Sequence, residues 1–549
     1  MKTVDYVTVA TFLIGVLWLG SRFYKWIGAP DDFYLAGRQL TPFILAASMT
    51  TANISLFSLI GVSGTAYQSG ISIIWMTWTG NMALVFSGLY VIPFLRRLRI
   101  RTVPEFLEMR YGPGVRSLVG VLWIFRLTFW ISVVLYAGVM AAQQLTGIHS
   151  FILWLVVFSF IVIVYTTAGG MWSIVLTNNL GFLLVMASVL TVLPIAMRTV
   201  GWWPGLVAHL PAGHLQFVPH SGKYSWKFIL AILLLGLQWA SLDQGLLQSA
   251  FSARDPRVVS KGMVISALMI TPFAFLWITP GLAARVLYPG LPKGELAVPT
   301  LIGHLVPAGA LGLVICGFMA SGLSTIGSNL AAVATLITND IYGRFLNKNS
   351  SPQQLLVAVR MATLMAGLLM IGITCLIPYL GGAVEAYLTV ISILDMPLFV
   401  IAIVYGLLWR RVTWQGAMTG YLAGAVAGAA LRFVFHFDVA PVTLISGAVA
   451  LCICPIASLG GRLAKTARTD SLELAFEGHA AAETAARTKM RLTMASIGTW
   501  TLGFGFLVFL AGVVMGSQSA ARASEIAILG MLIYFAGGAL RAKFAQSSQ

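Results

Sequence analysis

Charge is what this chain has least of: Asp, Glu, Lys and Arg make up 9% of its 549 residues, where a soluble globular protein carries about 25%. With 58% hydrophobic residues and a mean hydropathy of +0.89, the shortage excludes an ordinary soluble enzyme and leaves a multi-span membrane protein. Cysteine is nearly missing as well. The four present (Cys316, Cys375, Cys452 and Cys454) lie in apolar runs, without the spacing of a zinc site or a disulfide framework, so packing is their expected role. No Walker loop with its Lys and no Gly-x-Ser-x-Gly elbow occurs, which argues against an ATP-driven pump and a hydrolase. The opening "MKTVDYVTVATFLIGVLWLG" lacks a basic n-region and a small-residue cleavage site, and reads as a retained first span.

What the chain does have is apolar runs long enough to cross a bilayer. Fifteen are readable, centred near residues 14, 54, 83, 130, 160, 185, 236, 273, 322, 370, 396, 424, 449, 505 and 532. Basic residues outnumber acidic ones 34 to 17, a net charge of +17, which in a soluble protein would suggest nucleic acid. Placement decides otherwise. With the N-terminus outside, the loops after odd-numbered spans are cytoplasmic, and they hold "RRLRIRTVPEFLEMR", "SARDPRVVSK", "DIYGRFLNK", "WRR" and "GRLAKTARTD". Together with the flanks of spans 1 and 15, that side takes 25 of the 34 Lys and Arg. This is the positive-inside pattern of an N-out, C-in chain in a cell membrane. The basicity is a topology signal and an attraction to the lipid bilayer, not a nucleic-acid footprint.

Two spans are unlike the rest. Span 2 carries "SMTTANISLFSLIGVSG" and span 7 "LQWASLDQGLLQ", apolar runs interrupted by polar side chains. Loose polar backbone is stable at membrane depth only when buried in protein or lining a watery cavity. The two lie five spans apart and enter the membrane from opposite sides, the expected sign of an inverted repeat with a midplane binding site. The resulting division is a first transmembrane helix (1–30), a core of spans 2–11 (31–410), spans 12 and 13 (411–460), a cytoplasmic helical linker (461–492) and a terminal hairpin (493–549).

"DDFYLAGR" before span 2, "RTVPEFLEMRYG" after span 3 and "YTTAGGMWSIVLTN" before span 6 are one set of segments. With "QSAFSARD" and "PGLAARVLYP" around span 7 and at the end of span 8, and "GFMASGLSTIGSNLAAVATLITNDIY" in span 9, the best match, they resemble the sodium:solute symporter family. The resemblance covers residues 30 to about 430 and implies an all-α polytopic membrane protein of the LeuT-type fold. That fold has ten core helices in a five-plus-five inverted repeat, here spans 2–6 and 7–11, with additional helices to a total of 13–15. It also implies Na+ as coupling ion. Carried over residue by residue, "TANI" places Thr51 and Ile54 as carbonyl ligands, and "ASGLST" places Ser321 as a carbonyl ligand with Ser324 and Thr325 as hydroxyl ligands. Sodium wants about five or six oxygens, and unwinding a helical turn frees carbonyls to supply them. The structural alternative for Ser324 and Thr325 is back-bonding to the preceding turn. Where the family often has Asp and Gln, this chain has Asn178 and Gly181, so an acidic waypoint for sodium release is absent.

Three ionisable residues fall within spans: Arg126, Asp243 and Asp395. They are functional by default, the alternative being a structural ion pair such as Arg126 with Asp395. Asn53, Ser58, Trp239, Asp243 and Gln244 flank the two breaks and, with Asp395, are the expected contacts of a small-molecule substrate. Asn53 resembles the sugar-transporting branch, where the proline branch has Asp. Ser58 and Thr77 replace the polar residues used for galactose, and the arginine of sialic-acid transporters aligns with Trp130. His209, His214 and His220 in the outer loop read as solvated rather than metal-binding. The resulting expectation is a sodium-coupled symporter for a sugar, amino acid or carboxylate, working by alternating access, and no enzyme. The rival readings are a transporter-like sensor or regulatory subunit, and proton coupling through a carboxylate such as Asp243.

Overall fold

In a bilayer every backbone polar group must be satisfied within the protein, which restricts spanning segments to helices or closed barrels. The computed structural model describes residues 2–23, 40–98, 100, 102–347, 349–409, 411–459 and 494–544; "DDFYLAGR" and the linker 461–492 lie outside them. Among the described residues every named element is helical, and an isolated bridge pairs Leu40 with Ala253. Twelve helices are long and apolar enough to cross a membrane, thirteen if the bent pair Trp226–Leu242 and Gln244–Phe251 is one span. The remaining two expected spans are the N-terminal helix Thr3–Phe23 and the interrupted segment 42–69. Large apolar side chains such as Ile152, Leu368, Val426 and Leu507 face outward, where lipid replaces water.

Span 4, Pro113–Thr146, has 34 residues, about 51 Å of helix, so it crosses the roughly 30 Å hydrocarbon layer at a strong tilt. Residues Phe151–Val200 are helical throughout and contain two apolar spans, Phe151–Ala168 and Gly181–Val200. Both lie along span 9, Ala310–Leu336. Tyr165 Oη donates to Leu323 O (2.6 Å), Asn178 Nδ2 contacts Ser328 Oγ (3.5 Å) and Ser188 Oγ donates to Leu313 O (3.2 Å). From Asn178 to Ser188 the chain thus runs antiparallel to span 9. Span 9 is buried almost along its whole length and is the axis on which the site is built.

At the end carrying the basic loops, Arg116 bonds Asp340 (2.6 Å) and Glu108, and Glu108 also pairs with Arg344 (2.9 Å). This network ties the helix Val103–Tyr111, span 4 and the π-helical extension of span 9, Ile337–Leu346.

Spans 14 and 15, Met494–Met515 and Ala520–Phe544, meet along a seam of glycines. A Cβ on Gly505 would lie 2.7 Å from Tyr534 Cα, on Gly512 2.7 Å from Ala527 Cα, and on Gly537 2.7 Å from Leu502 Cα. Only glycine permits that approach, the small-residue packing by which helices associate where no hydrophobic force separates them from lipid. The hairpin then grips the core twice. Tyr534 Oη donates to Met82 O in span 3 (2.8 Å), and Ser524 Oγ accepts the Val218 N–H of the loop before span 7 (3.2 Å). Phe217 of that loop lies flat on Trp78, with ring centroids 5.7 Å apart.

Candidate ion and solute site

Span 2 breaks where its sequence turns polar. The helix Pro42–Asn53 ends with the Ile54 N–H bonded to Thr50 O, and Ile54 leaves helical geometry (φ −84°, ψ 76°). The chain resumes as a π-helical turn, Phe57–Val62, and then Ser63–Ser69; such wide turns recur at functional positions. The break frees carbonyls. Asn53 O accepts from Ser58 Oγ (3.2 Å), and Ile54 O accepts from Ser321 Oγ of span 9.

Ile54 and Ser321, two of the five expected sodium ligands, are thus in contact across the break. Ile54, Ser321, Ser324 and Thr325 are all buried, and Ser324 Oγ has no hydrogen-bond partner. Back-bonding is thus not what this hydroxyl does, although Ser328 Oγ one turn later does exactly that kind of bonding, to Ser324 O (2.9 Å). A buried hydroxyl without a partner costs about 1–3 kcal/mol, a cost that a bound cation removes. The donor set, neutral hydroxyls beside a carbonyl, suits a hard monovalent cation. Thr51 belongs to the same helix end; its side chain lies outside the described residues. Asn178, at the position of the family's acidic residue, donates to Ser48 Oγ (3.2 Å) and so bonds the inner half of span 2.

Span 7 breaks at Asp243. The helix Trp226–Leu242 ends there, with Asp243 extended (φ −65°, ψ 118°), and Gln244–Phe251 continues at a bend of 41°. Asp243 caps the second half: its Oδ1 accepts the Leu246 N–H (3.1 Å) and its carbonyl the Leu247 N–H (2.9 Å), as N-cap residues do. Its Oδ2 meets Arg126 Nη1 at 2.6 Å. Arg126 also forks onto Asp395, Nη2 to Oδ2 at 2.8 Å and Nε to Oδ1 at 3.2 Å. The pairing considered for Arg126 and Asp395 thus includes Asp243 as well, and the three buried groups sum to one negative charge.

One cavity lies between the breaks. Its volume is about 140 Å³. Asn53, Ser58, Trp239, Asp243 and Asp395 line it; Gln244 does not. Gln244 is buried and turned to the inner loop, where its Oε1 accepts the Val103 N–H (3.0 Å). Expected as a substrate contact, Gln244 thus stands off the cavity wall and anchors span 7 to that loop. Thr77 and Trp130 also line the cavity, and Trp130, Phe57 and Tyr387 form an aromatic corner with centroids 4.5–5.2 Å apart. Tyr387 and Asn329 were not singled out from the sequence. Asn329 was within reach, since it stands one helical turn beyond Thr325 on the same buried helix. The outer-loop histidines do not converge: His209 Nδ1 lies 2.7 Å from Gly205 O and His220 Nδ1 3.2 Å from Gly516 O.

Two interrupted helices meeting at one cavity are the construction of a secondary membrane transporter. The sodium:solute symporter family matches residues 33–424, and the chain belongs to it. It is a sodium-coupled symporter of a solute, not an enzyme. The chain is 29% identical over 459 residues to a sodium/glucose cotransporter of Vibrio parahaemolyticus, covering 77% of this chain and 83% of that one. It is 25% identical to the human sodium/myo-inositol cotransporter 2, over 74% of this chain and 66% of that protein. Among solved structures, a Na+-coupled sialic acid symporter superposes with a TM-score of 0.77 at 19% identity, over 84% of this chain and 99% of that one. That likeness gives the fold: the LeuT-type arrangement expected from the sequence.

Proposed function

We propose that this chain imports a small, neutral, hydroxyl-rich solute, a sugar or polyol, using the inward sodium gradient. One observation carries the reading: the buried Ser324 hydroxyl of span 9 has no hydrogen-bond partner, and the cavity between the two breaks is walled by the carboxylates of Asp243 and Asp395. Ile54, Thr51 and Ser321 supply carbonyl oxygens to sodium, and Ser324 and Thr325 supply hydroxyls. Asn53, Ser58, Trp239, Asp243 and Asp395 face the solute, with Trp239 and the aromatic corner giving flat apolar surfaces for a sugar ring. The glucose and myo-inositol named for the two relatives favour this class over amino acids and carboxylates. In the proposed topology the chain sits in the cell membrane with the N-terminus outside and the C-terminus cytoplasmic, as the basic loops require.

Alternating access follows from the construction. Sodium at the first break draws spans 2 and 9 together, and solute at the second break does the same for span 7 and spans 4 and 11. Uptake of labelled sugars, polyols, amino acids and carboxylates into proteoliposomes, with and without a sodium gradient, is the test. Sodium-independent or proton-driven uptake would overturn the coupling, and sodium-driven uptake confined to amino acids would overturn the solute class.

A further inference from the structure

The proposed ion ligands lie on spans 2 and 9 and the cavity carboxylates on spans 7 and 11, and a symporter needs something to make each aware of the other. Asn329 stands between them. It is 7% exposed, lines the cavity, and lies one turn past Thr325 on span 9. Its Nδ2 donates to Thr325 O at 2.9 Å. That bond fixes the orientation of the amide, because a flipped side chain would set two acceptors against each other. The Oδ1 is therefore directed away from the ion site, and it has no hydrogen-bond donor.

What it abuts is the second helix break. A Cβ on Gly245 would fall 2.8 Å from Asn329 Cγ and closer still to Oδ1. Residue 245 can only be glycine while Asn329 keeps this position. Gly245 is two residues from Asp243, the residue that holds Arg126 and caps the second half of span 7. A continuous path of contacts thus runs from Thr325, through the Asn329 amide, to the break that carries the cavity carboxylate.

We propose that Asn329 is the coupling residue between sodium and solute: it carries the position of the sodium-bearing turn of span 9 to the break in span 7. It rests on the assignment of Ser324 and Thr325 to the ion made above. A buried amide oxygen without a donor is an imbalance that one state of a protein tolerates when another relieves it. Movement of Gly245 relative to Asn329 brings a donor to Oδ1, either the first-turn N–H of Gly245 or a solute hydroxyl in the cavity. As a positioning residue, Asn329 acts through Gly245 and not on the ion.

The test needs sodium alone as the probe. A cysteine at Leu246, which lines the cavity in the second half of span 7, is labelled with a maleimide in membranes across a sodium titration. Sodium should change the labelling rate by about fivefold or more, the range of ordinary coupling between sites. Asn329→Ala should abolish the change while equilibrium binding of 22Na+ persists. Gly245→Ala, which removes no polar group, should do the same by displacing Oδ1. In the double variant the two effects should not add, because the alanine at 329 makes room for the one at 245. A sodium-dependent rate that survives Asn329→Ala overturns the proposal, as does a Leu246→Cys protein whose labelling never responds to sodium. Loss of 22Na+ binding in Asn329→Ala overturns it too, by making the residue part of the ion site. Undiminished 22Na+ binding in Thr325→Ala instead sinks the assignment of the ion site.

Discussion

Arg126 can be tested by removing each member of its triad in turn. Arg126→Leu deletes three hydrogen bonds and leaves Asp243 and Asp395, 4% and 1% exposed, facing one another without a counter-charge. Truncating one partner of a buried pair costs about 3–5 kcal/mol, and here two carboxylates lose the same partner. Asp243→Asn is milder. Arg126 keeps its fork on Asp395, the Asn oxygen can still accept the Leu246 N–H, and the triad becomes neutral. The loss is about one charge-assisted hydrogen bond, roughly 1.5–3 kcal/mol. Set against a total stability of about 5–15 kcal/mol, the first change should destabilise the protein far more than the second. Thermal unfolding followed by size-exclusion in detergent gives the order wild type, Asp243→Asn, Arg126→Leu. The triple variant Arg126→Leu/Asp243→Asn/Asp395→Asn should recover part of the loss, because no charge is then left unpaired. An Arg126→Leu protein as stable as Asp243→Asn would refute the reasoning, since the arginine would then not be the group that holds the carboxylates.

Other expectations follow from single contacts. Thr325→Ala should raise the sodium half-saturation of uptake more than it lowers expression, because the ion loses a ligand in a dry site; an unchanged sodium curve removes Thr325 from the site. A cysteine placed in "RRLRIR" should react only from the cytoplasm and one near Gly213 only from outside; labelling from the opposite faces overturns the topology. His214, in the outer loop, has its pKa held below the ordinary value by burial, with Arg285 adding to the effect. The loop's stability is therefore complete above the unfolded histidine value of about 6.5 and falls as pH drops below it. Proteolysis of the loop should accelerate between pH 7 and 5.5 in wild type and not in His214→Gln, and equal acceleration in both would dismiss the histidine. Gly505→Leu should separate spans 14 and 15 and lower the melting temperature; an unchanged melt would mean the seam does not hold the hairpin.

The sequence made the breaks legible because polar residues inside an apolar run have few physical explanations. "TTANIS" and "ASLDQ" marked the two interruptions, and Ser324 and Thr325 stood out as adjacent hydroxyls on a buried helix. Composition could not show direction. Gln244 neighbours Asp243, yet the bend between them sends one side chain to the cavity and the other to the Val103 N–H. Nor could it say that Arg126 takes two carboxylates, since Asp243 and Asp395 are 152 residues apart and meet only through packing. Asn329 was unremarkable as a letter. Its interest comes from Gly245, a contact between spans 7 and 9 that no periodicity reports.

The glycine seam of the terminal hairpin has a further consequence. Gly505, Gly512 and Gly537 each face the backbone of the opposite helix closely enough that only glycine fits, so the seam holds the register of spans 14 and 15. The hairpin's two grips, Ser524 on Val218 and Tyr534 on Met82, are ten residues apart, about 15 Å of helix. It therefore works as a caliper of fixed opening: one jaw holds the outer loop that lays Phe217 over Trp78, the other holds span 3 beside the cavity residues Gly80 and Asn81. The spacing between that loop and the span 3 wall of the cavity is set by residues beyond 424, where the family match ends.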